Sequence, residues 1–222
     1  KVAGQFFEGS FNVLRYGPYA PTEEELNLLG EIEGSVILEV GCGSGHTLEY
    51  LAKRGARELW GVDLSGAQIK TAKEVVSKLD TPVTLIEAPM EEIPGLPENY
   101  FDKAISIYAL GWTVNLPKTV RNIHRSLKPG GIFVFSWEHP VHSVAEYADE
   151  QLRIRRSYVN EGFEKHDSWR GAPIVMHYRK ISTFINELIG AGFVIDKVIE
   201  DSKVDDADTS PSSKWYSGTK AR

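Results

Sequence analysis

The chain has 222 residues, 41% of them hydrophobic, with 25 Lys and Arg against 31 Asp and Glu and a formal net charge of −6. That length suits one domain with a sizeable core, no apolar run is long enough for a transmembrane helix, and the acidic balance argues against general nucleic-acid binding. A single cysteine excludes an internal disulfide and fits a reducing compartment, and no signal-peptide pattern is visible, so a cytoplasmic protein is expected.

Residues 1–34 read as an N-terminal cap, because Phe6, Phe7, Phe11, Tyr16 and Tyr19 are too aromatic for a free tail. Thr22 to Glu25 has the capping-box spacing and starts a short helix. Val36, Ile37, Leu38 and Val40 form a buried parallel strand that enters a loop with Gly41, Gly43 and Gly45. A helix follows and stops at Gly55. A second strand, Glu58–Val62, ends in Asp63. Ser65 caps the next helix, whose Ile69, Ala72, Val76 and Leu79 repeat at the helical period.

Val83–Ile86 and Lys103–Ile107 are the third and fourth strands. Asn115 and Pro117 open a helix carrying Val120, Ile123 and Leu127. Pro129 and two glycines then reverse the chain into a fifth strand, Ile132–Ser136. Residues 35–136 are the core of this pattern.

In residues 137–180 the pattern loosens. Leu152–Val159 and Ile174–Lys180 read as short strands around a polar connection, Asn160–Gly171, giving a small helix-and-hairpin insertion over the ligand crevice. Arg153, Arg155 and Arg156 read as a solvated strand face. In residues 181–222, Ser182 caps a last helix ended by Gly190 and Gly192, Phe193–Ile199 is a sixth strand, and Asp201–Ser213 is a loop. No seventh strand is visible before Arg222, which leaves six strands or a chain that stops short of one. The fold class expected is α/β, a doubly wound, mostly parallel sheet with its ligand at the strand carboxyl ends.

Glycines accept positive φ and let a ligand approach the bare backbone, and the helix after them directs free amides at it. A carboxylate at the end of the second strand suits a ribose. The spacing is G-x-G-x-G and not the G-x-G-x-x-G of dinucleotide enzymes. Glu39-Val-Gly-Cys-Gly-Ser-Gly45, followed by Gly61-Val-Asp-Leu-Ser65 and by Leu127-Lys-Pro-Gly-Gly131, resembles the class I S-adenosylmethionine (SAM)-dependent methyltransferases. The nearest branch is the small-molecule one, including the quinone-biosynthesis type.

The resemblance implies SAM as cofactor and S-adenosylhomocysteine (SAH) as product. It places the methionine part on Gly41, Cys42, Gly43 and Gly45 with Glu39 near its ammonium, and the ribose on Asp63 beside Leu64. Adenine falls to Met90 or Glu91, with Pro89 where the family usually has Asp. Tyr16 would close over the cofactor, or serve only as an aromatic anchor. Ile107 and Tyr108 would stand by the methyl group, with Trp112, Trp137, His139 and His177 toward the acceptor. Tyr108 tolerates a sulfonium, and for a hydroxyl acceptor His139, at the end of the fifth strand, is the preferred general base, with His142 and His177 of the insertion as alternatives.

Ile107-Tyr-Ala-Leu110 replaces the Asn-Pro-Pro-Tyr of enzymes that methylate amide or adenine nitrogens, which argues against those substrates. No metal is expected, since adjacent Glu138 and His139 point apart on a strand and no third ligand is suitably spaced. The partner is a small-molecule methyl acceptor, with no nucleic acid and no membrane. A non-catalytic SAM-binding protein, a nicotinamide-dependent oxidoreductase and a protein or RNA methyltransferase remain as alternatives.

Overall fold

The computed structural model describes residues 13–17, 20–148, 151–169 and 172–201. Strand β1 (Val36–Val40) is buried throughout: its edges pair with two parallel neighbours, β2 (Glu58–Asp63) and β4 (Phe101–Ile107), and its two faces pack into separate parts of the core. β3 (Val83–Glu87) and β5 (Leu127–Ser136) complete a five-stranded sheet of order β3-β2-β1-β4-β5. The order reverses between β1 and β4, the position at which doubly wound sheets bind ligands.

Alternation along β1 divides the interior. Ile37 joins Leu48, Leu51, Leu59 and Ile69 on one side. Val36, Leu38 and Val40 join Phe101, Val120, Ile123 and Phe184 on the other. The two sides are covered by the crossover helices, α2 (His46–Ala52), α3 (Gly66–Val76) and α4 (Leu116–Ser126). Ser65 caps α3 through the Gln68 amide, and Asn115 caps α4 through the Lys118 amide. Asp102 stitches the far end of the sheet, accepting from the Val36 amide at 2.8 Å and from Lys128 Nζ at 2.6 Å.

Ahead of the sheet, α1 (Glu23–Leu26) carries the expected capping box of Thr22 and Glu25. Leu14 and Tyr16 are buried in the core. Phe6, Phe7, Phe11 and Tyr19 lie outside the described residues.

The insertion departs from the expected single hairpin. It holds a short helix α5 (Pro140–Val144), a ribbon of β6 (Ala145–Ala148) with β7 (Gln151–Ile154), and a second of β8 (Gly162–Trp169) with β9 (Ala172–Tyr178). The polar segment expected as a connection is therefore mostly strand β8. β8 is exposed along most of its length, so it needs no apolar alternation, only a partner strand for its backbone groups. The arginines of this region are not simply solvated. Arg155 donates to the Tyr178 hydroxyl and to Ser143 O, and Arg156 lies 3.5 Å over the Tyr178 ring.

The last helix, α6 (Ile181–Ala191), is flanked by Lys180 and not capped by Ser182. Glu161 instead takes the Lys180 amide and the Thr183 hydroxyl. Gly192 ends α6 in a left-handed conformation, φ 104°, whereas Gly190 stays helical. The expected sixth strand, Phe193–Ile199, does not form: these residues pair with no strand, which leaves β5 at the sheet edge among the described residues. Phe193 packs on Phe133 and His124, but Val194 and Val198 point to water. β-branched residues make a strand only where a neighbour buries them. The stretch read as a loop, Asp201–Ser213, lies outside the described residues beyond Asp201.

Candidate cofactor and acceptor site

The loop after β1 is built on positive φ: 81° at Gly41, 51° at Gly43 and 80° at Gly45. The Gly41 and Cys42 amides are held by Val62 O at 2.7 and 2.9 Å. A Cβ at Gly41 would lie 2.2 Å from Ala109 Cβ and 3.9 Å from Met90 Cε, so the loops after β1, β3 and β4 meet at this glycine. A Cβ at Gly45 would press on Ala72 of α3 at 3.2 Å.

Two carboxylates serve this loop. Asp63, at the end of β2, accepts from the Gly43 amide at 2.9 Å and from the Ser65 amide at 2.8 Å. Each of its oxygens keeps a second lone pair for a ligand hydroxyl. Leu64 beside it is 70% exposed. Glu39 is buried, and its Oε2 has no partner. Burial pushes its carboxyl well above the usual range, Thr47 opposes this by hydrogen bonding, and Asp63 adds to it. An unpartnered buried carboxylate oxygen is costly unless a cationic ligand meets it. Cys42 turns its sulfur inward, to where a Cβ of Gly61 would stand 2.9 Å away, and burial raises its thiol.

On the acceptor side, Tyr108 follows β4 with φ 53°, a left-handed conformation uncommon for a bulky residue. Its amide donates to Ser136 O and Ser136 Oγ, both at 3.1 Å. Such local strain is held in place by its surroundings and gathers at functional positions. The Tyr108 ring lies 5.3 Å from that of Trp137, and Trp137 meets Trp112 edge-on at 5.5 Å. Gly17 of the N-terminal segment comes against the Tyr108 ring, which a Cβ there would approach to 3.1 Å. Ile107 is buried behind this wall.

Several expected site residues have other duties. Tyr16 donates to Glu23 at 2.5 Å and is 5% exposed, so it is an aromatic anchor. Glu91 is buried and accepts from the Thr113 hydroxyl and the Val114 and Asn115 amides, so it braces a loop and is not offered to adenine. Pro89 is exposed and its carbonyl closes a turn with the Glu92 amide, leaving half-buried Met90 between them.

His139 is occupied at both ring nitrogens: Nδ1 accepts from the Val141 amide, capping α5, and Nε2 lies 3.0 Å from Glu200. His142 also has a carboxylate partner, its Nδ1 standing 2.6 Å from Glu138. That bond raises its pKa, with burial opposing. His177, on β9, keeps a buried Nε2 without a partner, and burial followed by Arg179 lowers its pKa. Arg179 donates to Gly111 O and Thr113 O and so ties β9 to the acceptor loop. Arg179 and the pairing of His142 with Glu138 escaped the sequence reading. Only the i, i+4 spacing of that pair gave a signal, weakened by Pro140 between them.

A family model described as a methyltransferase domain matches residues 38–135. The S-adenosylmethionine-dependent methyltransferase of Mesorhizobium loti, solved as a crystal structure, superposes with a TM-score of 0.69 at 32% identity, over 78% of this chain and 80% of that one. An uncharacterised protein of Haemophilus influenzae is 30% identical over 211 residues, 88% of this chain and 83% of its own. The chain belongs to the class I SAM-dependent methyltransferase family. Its cofactor is SAM, and the unpartnered buried oxygen of Glu39, two residues before Gly41, fits that cation. A third relative, the S-adenosyl-L-methionine-dependent Diels-Alderase iccD of Talaromyces variabilis, is 32% identical over 133 residues, 58% of this chain but 45% of that protein.

Proposed function

We propose that this protein transfers the methyl group of SAM to a small planar acceptor seated against Tyr108, Trp112 and Trp137, releasing SAH. The observation that carries the reading is the buried, unpartnered Glu39 oxygen, two residues before Gly41 and one strand away from that aromatic wall. Gly41, Gly43 and Gly45 give the methionine part its close approach, and Glu39 takes its ammonium. Asp63 accepts from the ribose hydroxyls, and Leu64 and Met90 supply apolar contact for adenine. Bound there, SAM supplies an electrophilic methyl on a sulfonium.

The chain's own contribution is alignment, which can be worth roughly 7–11 kcal/mol of a barrier. Tyr108 is rigidly set by its two bonds to Ser136 and offers a π-face to positive charge. His177 presents its buried Nε2 to a polar group of the acceptor.

Thermal unfolding with SAH, SAM and NAD at matched concentrations tests the cofactor half. A ligand at a hundred times its dissociation constant stabilises by about 2.7 kcal/mol. Shifts with SAH and SAM but not NAD are expected, and a shift with NAD alone would overturn the reading. SAH release in an acceptor screen then tests the reaction. The Talaromyces relative favours one second reading, a cyclisation that keeps its SAM intact. Substrate conversion without SAH formation would identify it.

A further inference from the structure

We propose that Glu91 is a positioning residue that makes the acceptor wall depend on the cofactor: SAM or SAH binding at the loop after β3 is passed through Glu91 to residues 110–115, and through Arg179 to β9. The proposal rests on the cofactor site assigned above.

Its basis is an unbroken run of contacts. Met90, against the glycine loop at Gly41, is joined in sequence to Glu91. A single oxygen of Glu91, Oε1, gathers the Thr113 hydroxyl at 2.9 Å and the Val114 and Asn115 amides at 2.5 and 3.3 Å. The Glu91 carbonyl takes Asn122 Nδ2 at 2.9 Å, fixing the same residue to α4. Thr113 is also bonded to Thr119 at 2.7 Å. From the far side, Arg179 donates to Gly111 O and Thr113 O. Trp112 stands between those two carbonyls and carries the edge contact to Trp137. The acceptor wall thus hangs between a carboxylate on the adenine loop and a guanidinium on the lid ribbon.

Glu91 is 6% exposed. Three donors converge on that one buried oxygen, and Thr113 among them is itself buried, so losing Glu91 breaks a buried bond there and releases the exposed Val114 and Asn115 from their anchor. Ordering the loop at Met90 therefore selects one arrangement of residues 110–115. Without Glu91, cofactor binding would still order the glycine loop and Ala109 packed against it, but would leave residues 110–115 and β9 unaffected.

Amide hydrogen exchange on the full chain, with and without saturating SAH, tests this. In the wild type SAH is expected to slow exchange at Gly41–Ser65, at 110–115 and at 174–180, by roughly tenfold or more as ligand binding suppresses local opening. In Glu91→Ala the first protection remains and the other two are lost. In Glu91→Gln, which keeps the shape and one acceptor, roughly a third of the effect at 110–115 survives, since neutral bonds are about half as strong as charged ones. In Arg179→Gln protection at 174–180 is lost while that at 110–115 stays. Glu91→Gln carries the test if the alanine variant fails to fold. Equal protection of all three segments in wild type and Glu91 variants would overturn the proposal, as would wild-type protection confined to Gly41–Ser65. No SAH protection anywhere would sink the cofactor assignment itself, and this proposal with it.

Discussion

The Trp137 ring stands where a side chain at position 111 would begin: a Cβ built on Gly111 would lie 1.8 Å from Trp137 Cε2. That glycine is present for close approach and not for an unusual φ. It lets the end of β5 lie directly on the turn after β4, which brings Trp112, Trp137 and Tyr108 into one wall. Gly111→Ala must displace the indole. The expected cost is about 1–3 kcal/mol, the range for overpacked sites, seen as a lower unfolding midpoint. A change in tryptophan fluorescence should accompany it, with SAH affinity little altered.

Asp63 braces the glycine loop through the Gly43 amide and is offered to the ribose as well. Asp63→Ala should weaken SAH binding by roughly 1.5–3 kcal/mol, the scale of hydrogen bonds to a charged group. Calorimetric titration measures it, and an unchanged affinity would refute the ribose assignment.

Glu39 is expected to be costly to the free protein and useful to the bound one. Its carboxyl is fully buried, held well above its ordinary pKa by burial, and has one oxygen without a partner. Glu39→Gln removes the cost of ionising a buried carboxyl and should raise the unfolding midpoint of the free protein. It should also reduce the extra stabilisation that SAH gives. A variant with both lowered would assign Glu39 a purely structural role.

The Glu138–His142 pair gives a pH dependence of definite sign. The hydrogen bond from Glu138 raises the His142 pKa above 6.5, against burial and Arg155. The folded state then holds the proton more tightly than the unfolded chain. The stabilisation is complete below 6.5 and is lost as pH rises through the folded value. Glu138→Gln should remove this dependence. Urea midpoints of wild type and variant should therefore differ most at acid pH and converge at alkaline pH. His46 and His177 shift the opposite way, and taking the difference between the two proteins cancels them.

The parts legible in the sequence were those with strictly local causes. Val36 to Val40 reads as a buried strand because all its faces are covered, and Ser65 and Asn115 read as caps because their partners stand three residues on. The glycine loop and Asp63 were legible together, since each strand end leads straight into its loop. The ribbon β8–β9 was not, because its polar residues have no alternation and its stability comes from a partner strand and from Tyr178, Arg155 and Glu164 across it. Phe193–Ile199 misled in the opposite direction: its β-branched residues promise a strand, but no neighbour covers Val194 or Val198.

By itself the sequence determined the five parallel strands, their crossover helices and the cofactor loop, because periodicity, caps and glycine spacing act over a few residues. Tertiary structure alone decided what the side chains near the site do. Glu91 turns from adenine to residues 113–115, and His139 is spent on α5 and Glu200. His142 gains the carboxylate, and Arg179 reaches across 66 and 68 positions to two carbonyls. The physical reason is the same in each case. A buried polar group takes whichever partner the packed chain brings within about 3 Å, and that choice is made between segments far apart in sequence.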